Sequence, residues 1–186
     1  MNKVKKSLGR LPGDLSKEEL VARIIRVDQA GEYGAKRIYE GQLSVLGGTK
    51  DEALLREMAE QEQVHLETFD KLMVERRVRP TVLAPLWHLA GFALGAGTAL
   101  LGREAAMACT VAVEEVIEEH YLHQAAQLAS EDEPELLATI EQFLNDEVEH
   151  KKTALDEGAE QALGYPLLSV AVKSGSRLAI WLSERI

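Results

Sequence analysis

A glutamate interrupts the apolar face of a helix that is predicted to begin near Arg103. At about 3.6 residues per turn, the neighbours of Glu114 on the helix surface include Met107, Val111 and Tyr121, which belong to the face that such a helix buries. A buried carboxylate without a partner is strongly destabilising. A chain that buries Glu114 must therefore place a compensating charge or donor beside it.

Three other predicted helices share this irregularity. The four helical patterns span about residues 17–46, 50–78, 103–130 and 134–162. No stretch alternates with the period of a β-strand. The other three helices also carry one glutamate each on the apolar stripe, and two of these glutamates are followed by a histidine on the same face: Glu32, Glu62 with His65, and Glu147 with His150. The sequence predicts an all-α four-helix bundle with polar side chains at its centre.

The same residues mark an internal repeat. Each half of the chain holds two long helices, followed by an apolar segment that a proline introduces. Matching residues in the two halves are separated by 81 to 85 positions: Glu32 and Glu114, Glu62 and Glu147, Pro85 and Pro166. The duplication predicts a pseudo-twofold arrangement, in which the four long helices form the bundle and two additional apolar helices pack beside it.

Two divalent cations would compensate the buried charges. Four carboxylates and two neutral imidazoles balance two such ions. One glutamate from each of two helices, with a Glu-x-x-His pair from each of two others, is the ligand pattern of carboxylate-bridged di-iron or di-manganese bundles. An oxygen-rich site with one nitrogen per metal favours iron or manganese over zinc or copper. The remaining acidic residues of these helices are expected on solvated faces, among them Glu57, Glu60, Glu115, Glu118, Glu119, Asp146 and Glu149.

Composition argues against several other classes of protein. A formal net charge of −10 over 186 residues is unsuited to nucleic-acid binding, which needs a dense basic surface. Cys109 is the single cysteine, so neither a disulfide framework nor a thiolate metal cluster is expected. The length fits one domain over residues 1–186, with a flexible N-terminus over residues 1–16. No long apolar core follows the basic start of the chain, so no secretory signal is expected.

Two apolar segments raise the question of a membrane. Residues 80–102 contain no Asp, Glu, Lys or Arg and reach the length of a spanning helix. Pro85, His88 and four glycines favour instead a broken helix beside the bundle, which would serve as the crossover between the second and third long helices. Residues 166–182 repeat this apolar character. We expect both segments to attach to a membrane surface without spanning it.

The strings that carry these residues resemble the demethoxyubiquinone hydroxylases of ubiquinone biosynthesis, a ferritin-like family. They are RVDQAGEYGAKRIYEGQ, EQEQVHL, RVRPTVLAPLWHLAGFALGAGTALLG, MACTVAVEEVIEEHY and DEVEHKKTALDEGAE. The similarity runs from about Ile24 to the final LAIWLSERI, and these strings are much more specific than the Glu-x-x-His spacing. The resemblance implies a ferritin-like bundle and a di-iron monooxygenase that uses O2 to hydroxylate the ring of a demethoxyubiquinol, the penultimate step toward ubiquinone.

The resemblance also implies roles for individual residues. Two iron ions would each have one glutamate and one histidine of their own and would share two bridging glutamates. The implied ligands are Glu32 and His65 for one iron, Glu114 and His150 for the other, and Glu62 and Glu147 as bridges. The family's His-Tyr pair, which is linked to redox steps near the site, is matched by His120 and Tyr121.

The implied partners are a quinol with a polyprenyl tail, O2, an external electron donor and a lipid-presenting protein, and a homo-oligomer stays open. The implied location is the cytoplasmic face of a bacterial inner membrane or the matrix face of the mitochondrial inner membrane, contacted through residues 80–102 and 166–182. Other functions of the same ligand set remain alternatives: a quinol oxidase, a manganese catalase or an iron-binding bundle. Residues 80–102 count against iron storage, because a storage cage needs a polar surface.

Overall fold

Helices account for most of the computed structural model, which describes residues 11–186 and has no strand over that range. The elements are α1 (Lys17–Leu46), α2 (Glu52–Arg76), α3 (Ala84–Leu100), α4 (Arg103–Leu128), α5 (Pro134–Asp156), a 3₁₀ turn (Ala159–Gln161) and α6 (Tyr165–Ser183). The predicted all-α fold is confirmed. The flexible N-terminus expected over residues 1–16 falls mainly outside the described residues and stays a prediction.

Local sequence signals set two of the helix ends. The Ser16 hydroxyl accepts a hydrogen bond from the Glu19 N–H, and the Glu19 carboxylate accepts one from the Ser16 N–H, so a capping box begins α1. The fourth long helix ends at Asp156, before the predicted residue 162. The cause is Gly158, whose φ of +89° is left-handed and starts the 3₁₀ turn.

The segment after α2 forms one continuous helix, so the prediction of a broken helix is wrong. Pro85 lies in the first turn of α3, where its missing N–H is not needed for a helical hydrogen bond. The glycines of α3 let it approach α1 closely. A Cβ added at Gly91 would lie 2.8 Å from the carbonyl oxygen of Gly34, and one added at Gly95 would collide with the carbonyl of Ile38. These glycines permit close packing of the two helices.

The two halves of the chain repeat the same order of elements. The helices α1, α2 and α3 correspond to α4, α5 and α6, and Pro85 and Pro166 both lie in the first turn of the third helix of their half. The long helices pair as α1 with α2 and α4 with α5, while α3 and α6 each contact both α1 and α4. This is the predicted ferritin-like bundle with two additional apolar helices.

Two apolar clusters lie on either side of the bundle centre. One contains Ile24, Phe69 and Ile140, and the other contains Leu55 and Met107. On each long helix, the glutamate of the apolar stripe lies between residues of the first cluster and residues of the second. Packed side chains therefore separate the centre of the bundle from water in both directions along its axis.

The outer faces of α3 and α6 are apolar and exposed. Leu86, Leu89, Leu178 and Trp181 are each at least half exposed. Within residues 11–186, no helix is both long enough and apolar enough to cross a membrane.

Candidate metal centre

Six side chains from the four long helices converge at the centre of the bundle. Their ligand-type atoms form two groups, and within each group these atoms lie within 4.8 Å of one another. The groups are Glu32, Glu62, His65 and Glu147, and Glu62, Glu114, Glu147 and His150. The structure thus brings together all six predicted metal ligands, and both groups share Glu62 and Glu147.

Helical periodicity places these six side chains in the core. None of them is more than 3% exposed, because each lies on the stripe that faces the other long helices. The glutamates close to Glu114 in sequence lie elsewhere on α4 and form ion pairs with cations of α5 and α6. These pairs are Glu115 with Lys173, Glu118 with Lys151, and Glu119 with Arg177.

Several buried atoms of the two groups have no hydrogen-bond partner. No hydrogen bond of acceptable geometry reaches Glu32 Oε2, either carboxylate oxygen of Glu62, His65 Nδ1, Glu114 Oε2 or Glu147 Oε1. Buried polar atoms are nearly always paired in folded proteins. Unpaired oxygens and a nitrogen that all face one small volume fit a pair of divalent metal ions, which would bind these atoms and neutralise the four carboxylates.

The carboxylates differ in their affinity for protons. Burial raises the pKa of Glu62, and the negative charge of Glu147 raises it further. Burial also raises the pKa of Glu114, with Glu147 and Glu62 contributing. Burial acts in the same direction on Glu147, but a hydrogen bond from His150 and the close contact with the His65 imidazole outweigh it and lower the pKa of Glu147 to about 2. Without metal, Glu147 therefore stays ionised between the two imidazoles.

Both histidines face the carboxylates through Nδ1. His65 Nδ1 lies 3.1 Å from Glu147 Oε1, and His150 Nδ1 lies 3.1 Å from Glu62 Oε1. Burial disfavours each imidazolium, but the close contacts with the surrounding carboxylates raise the pKa of both His65 and His150 to about 11. In the metal-free protein two imidazolium ions thus supply the positive charge that metal ions would otherwise supply.

The outer nitrogen of each histidine has a partner from the opposite half of the chain. His65 Nε2 lies 3.2 Å from Asp146 Oδ2, and His150 Nε2 contacts Gln61 Oε1. Such contacts fix the tautomer with hydrogen on Nε2 and leave Nδ1 for a metal. The expectation that Asp146 belongs only to a solvated face is wrong, because this side chain is 44% exposed but still contacts His65.

Two buried tyrosines donate hydrogen bonds to the terminal carboxylates. Tyr121 on α4 donates to Glu32 on α1, and Tyr39 on α1 donates to Glu114 on α4 at 3.2 Å. Each tyrosine lies seven positions after the glutamate of its own helix. Burial raises the pKa of both phenols, so both keep their proton near neutral pH.

The two members of the predicted redox pair, His120 and Tyr121, have different partners. Tyr121 contacts Glu32 within the centre. His120 Nε2 lies 2.7 Å from Gln124 Nε2 and 3.5 Å from Asp28 Oδ1. Gln124 Nε2 also donates to Asp28 Oδ1 at 2.7 Å. A short polar cluster of Asp28, His120 and Gln124 therefore lies beside the metal centre.

An apolar cavity of about 500 Å³ reaches the centre from one side. It lies among α1, α3, α4 and α6, and its wall is largely made of small and aliphatic residues, including Gly31, Leu94, Val113, Val172 and Ala179. Its polar wall includes Asp28, Glu32, His120 and Tyr121. Pockets of this size and character hold small organic molecules, so an apolar ligand can reach Glu32.

The family model of ubiquinone biosynthesis protein COQ7 matches residues 19–183. This chain belongs to that family. It is 57% identical over 178 residues to 3-demethoxyubiquinol 3-hydroxylase of Rhodospirillum rubrum, which covers 95% of this chain and 84% of the relative. It is 56% identical over 169 residues to the human mitochondrial NADPH-dependent 3-demethoxyubiquinone 3-hydroxylase (89% and 78% covered). It is 45% identical over 180 residues to the Saccharomyces cerevisiae mitochondrial 5-demethoxyubiquinone hydroxylase (88% and 77% covered).

Sequence reasoning missed several polar residues around the centre of this COQ7-family chain. Asp28 precedes Glu32 by one helical turn, so its position on the same face was a usable signal. Gln61 and Asp146 each come directly before a shared glutamate, and they are 85 residues apart, like Glu62 and Glu147. Because the two residues occupy equivalent positions in the two halves, a comparison of the polar residues next to the ligands would have paired them.

Proposed function

We propose that this chain is a di-iron monooxygenase that hydroxylates the ring of a demethoxyubiquinol with dioxygen. One observation carries the proposal: Glu32 belongs both to a buried cluster of four carboxylates and two imidazoles and to the wall of an apolar cavity. Oxygen chemistry and an apolar substrate would therefore meet at one residue. The names of the relatives, which are demethoxyubiquinol and demethoxyubiquinone hydroxylases, support the same substrate class.

The two groups of side chains suggest how the irons are held. We assign Glu32 and His65 to one iron, Glu114 and His150 to the other, and Glu62 and Glu147 as bridges. Four carboxylates balance two Fe²⁺ ions, so the loaded centre is neutral in a core that water does not reach. Three carboxylate contacts and one imidazole nitrogen at each position support iron over the softer metals.

The iron pair would supply the activation of dioxygen and the delivery of one oxygen atom to the ring. The residues of the chain orient and protect this chemistry. Asp146 and Gln61 hold the two imidazoles with Nδ1 directed inward. Tyr121 holds a proton on its hydroxyl at Glu32, on the cavity side of the centre. We retain a redox role for His120 and Tyr121, because both side chains line the cavity.

The two short helices suggest the route of the substrate. They form walls of the cavity, and their outer faces are exposed and apolar. A polyprenyl tail that leaves the cavity between them would pass directly into lipid. We therefore propose peripheral attachment through residues 80–102 and 166–182, at the cytoplasmic face of a bacterial inner membrane or the matrix face of the mitochondrial inner membrane. The same faces would receive a lipid-presenting protein or a second copy of the chain.

The reaction needs two electrons from outside, because one atom of O2 enters the ring and the other leaves as water. Several relatives are named NADPH-dependent, which supports a reduced nicotinamide as the source of these electrons. The electrons would reach the centre through the reduced quinol or by way of His120 and Tyr121.

Mass spectrometry of the product tests the function. The iron-loaded protein is incubated with a short-tailed demethoxyubiquinol, a chemical reductant and isotopically labelled dioxygen. We expect one labelled oxygen atom in the ring of the product. Consumption of quinol and dioxygen without ring labelling would identify a quinol oxidase, and uptake of iron without quinol consumption would identify an iron-binding bundle. Either result overturns the hydroxylase.

A further inference from the structure

Asp28 is a buried carboxylate outside the metal centre. It is 3% exposed and lies on α1, one turn before Glu32. Its Oδ1 accepts a hydrogen bond from Gln124 Nε2, and His120 approaches the same oxygen. Its Oδ2 has no partner. Burial raises the pKa of Asp28, and the contacts with His120 and Gln124 act against this effect.

The unpaired oxygen belongs to a residue that lines the apolar cavity. Among the cavity residues within the described chain, only Asp28 and Glu32 have a buried side-chain oxygen without a hydrogen-bond partner. Glu32 is accounted for by the proposed metal and by Tyr121. Asp28 Oδ2 therefore remains an acceptor that no described residue satisfies, and a buried carboxylate oxygen without a donor is costly unless a ligand supplies one.

The internal repeat shows that this position does not need a carboxylate for packing. The residue 82 positions later is Thr110, which is also buried, and Gln42 donates to its hydroxyl in the way that Gln124 donates to Asp28. A neutral hydroxyl satisfies the same hydrogen bond in the other half of the chain. The carboxylate of Asp28 has a second oxygen that Thr110 lacks, and this unpaired oxygen points to a role that Thr110 does not have.

We propose that Asp28 accepts a hydrogen bond from a ring hydroxyl of the quinol and so holds the ring at the inner end of the cavity, beside Glu32. This inference rests on the proposed function. A quinol has two O–H donors, whereas the corresponding quinone has none. Asp28 therefore makes the cavity selective for the reduced ring, and it aligns that ring with the metal centre.

Binding measurements on the metal-loaded protein without oxygen test the selectivity. Trp87 lines the cavity, so quenching of its fluorescence reports occupancy in a Trp181→Phe background, where no other tryptophan contributes. The ligands are a short-tailed demethoxyubiquinol and the corresponding quinone. Because hydrogen bonds to charged groups are stronger than those to neutral groups, we expect the quinol to bind about tenfold more tightly than the quinone.

The variant Asp28→Asn should remove this preference. We expect about tenfold weaker binding of the quinol and unchanged binding of the quinone, with the iron content of the parent. Thr110→Val is the matched control, because it changes the equivalent residue in the other half and should leave both affinities unchanged. Equal effects of Asp28→Asn on quinol and quinone, no effect on either, or loss of iron would each overturn the role of Asp28.

A ligand series tests the same contact without any variant. The dimethyl ether of the quinol keeps the ring and tail but lacks both donors, so it should bind to the parent protein as weakly as the quinone. An ether that binds as tightly as the quinol would overturn the inference. If none of the three ligands quenches Trp87, the cavity is not the substrate site and the proposed function fails at that point. Binding of all three with equal affinity overturns only the role of Asp28.

Discussion

The Glu32 side and the Glu114 side of the centre share their hydrogen bonds but differ in what surrounds them. Residues 82 positions apart make equivalent contacts across α1 and α4. These pairs are Tyr121 to Glu32 and Tyr39 to Glu114, and Gln124 to Asp28 and Gln42 to Thr110. The duplication has therefore preserved the inner polar structure of the centre in both halves.

Beyond these contacts the two sides diverge. On the Glu32 side, His120 and Asp28 line the apolar cavity. On the Glu114 side, the counterpart of His120 is Ile38, which is buried against Cys109 and Ala112 and does not line the cavity. The cavity thus reaches the centre on the Glu32 side and does not include Glu114 in its wall. Under the proposed function, metal binding would depend on the features common to both halves, whereas substrate access would depend on the features found in one.

Loss of a shared carboxylate should have the largest effect. Glu62→Ala removes an oxygen donor from both groups, so we expect iron content to fall from close to two per chain to nearly none. Glu114→Ala should empty one position and leave the other. Metal analysis of the purified variants measures both effects. Glu115→Ala is the control, because Glu115 pairs with Lys173 and this variant should keep the parental iron content. Equal losses of iron from Glu114→Ala and Glu115→Ala would mean that the wrong face of α4 has been assigned.

Metal affinity should fall steeply with falling pH at both positions. In the metal-free protein the pKa values of His65 and His150 are about 11, so both imidazoles hold a proton throughout the neutral range. A metal must displace one of these protons at each position, so affinity should weaken about tenfold for each pH unit of acidification. The raised pKa values of Glu62 and Glu114 act in the same direction.

Chelator competition between about pH 6 and about pH 8 measures this slope, and direct titration of released protons provides a second measurement. Glu147 contributes no proton, because its pKa is already about 2. A metal affinity that does not change across this range would contradict the assignment of the histidines as ligands.

Two glycine replacements should distinguish the contribution of helix packing to stability from the contribution of the cavity to substrate binding. At Gly95 a Cβ would collide with the carbonyl of Ile38, so Gly95→Ala should lower the free energy of unfolding by about 1–3 kcal/mol. At Gly175, which lines the cavity, a Cβ meets nothing within 4 Å. Gly175→Leu should therefore retain or slightly raise stability, because leucine favours a helix over glycine by about 0.8 kcal/mol.

The effects on catalysis should be the reverse of the effects on stability: Gly175→Leu should impair catalysis more than Gly95→Ala does. Gly175→Leu fills part of the cavity and should raise KM for the quinol, while kcat/KM of Gly95→Ala should stay near the parental value at temperatures where that variant is folded. Thermal unfolding and steady-state kinetics of the two variants are sufficient. Unchanged KM in Gly175→Leu would show that the substrate does not use this cavity.

Replacing either buried tyrosine with phenylalanine should change stability by a similar small amount, but the two variants should differ in activity. Tyr121→Phe and Tyr39→Phe each remove one buried hydrogen bond to a terminal glutamate, so each should cost about 1 kcal/mol of stability. Only Tyr121 also lines the cavity, so only Tyr121→Phe should lower kcat with bound iron unchanged. Equal losses of kcat in both variants would remove the functional distinction between the two sides.

Much of the bundle could be predicted because its signals are local. The bounds of α1 and the start of α4 follow from helical periodicity and a cap, and the structure has them where the sequence indicated. The continuity of α3 was not predicted, because a proline and several glycines weaken a helix taken alone. Contact with α1 explains those glycines, since Gly91 and Gly95 allow close packing.

The polar surroundings of the centre were harder to predict than its ligands. A glutamate on an apolar stripe is conspicuous within a single helix, as Glu114 is among its neighbours on α4. Asp146 has no such signal, because its side chain is 44% exposed and its partner lies on another helix. The sequence pattern places Tyr39 among the core residues of α1, and only the structure shows that its hydroxyl donates to Glu114.

The sequence alone determined the four long helices, the internal repeat and the six candidate ligands, because these depend on the spacing of side chains along single helices. The tertiary structure alone decided that the cavity lies on the Glu32 side, that Asp28 has an unpaired oxygen and that each histidine has a partner from the opposite half. These features depend on how α3 and α6 pack against α1 and α4. A repeated sequence predicts two equivalent sides, and only the differences in packing between residues such as Ile38 and His120 make one of them accessible.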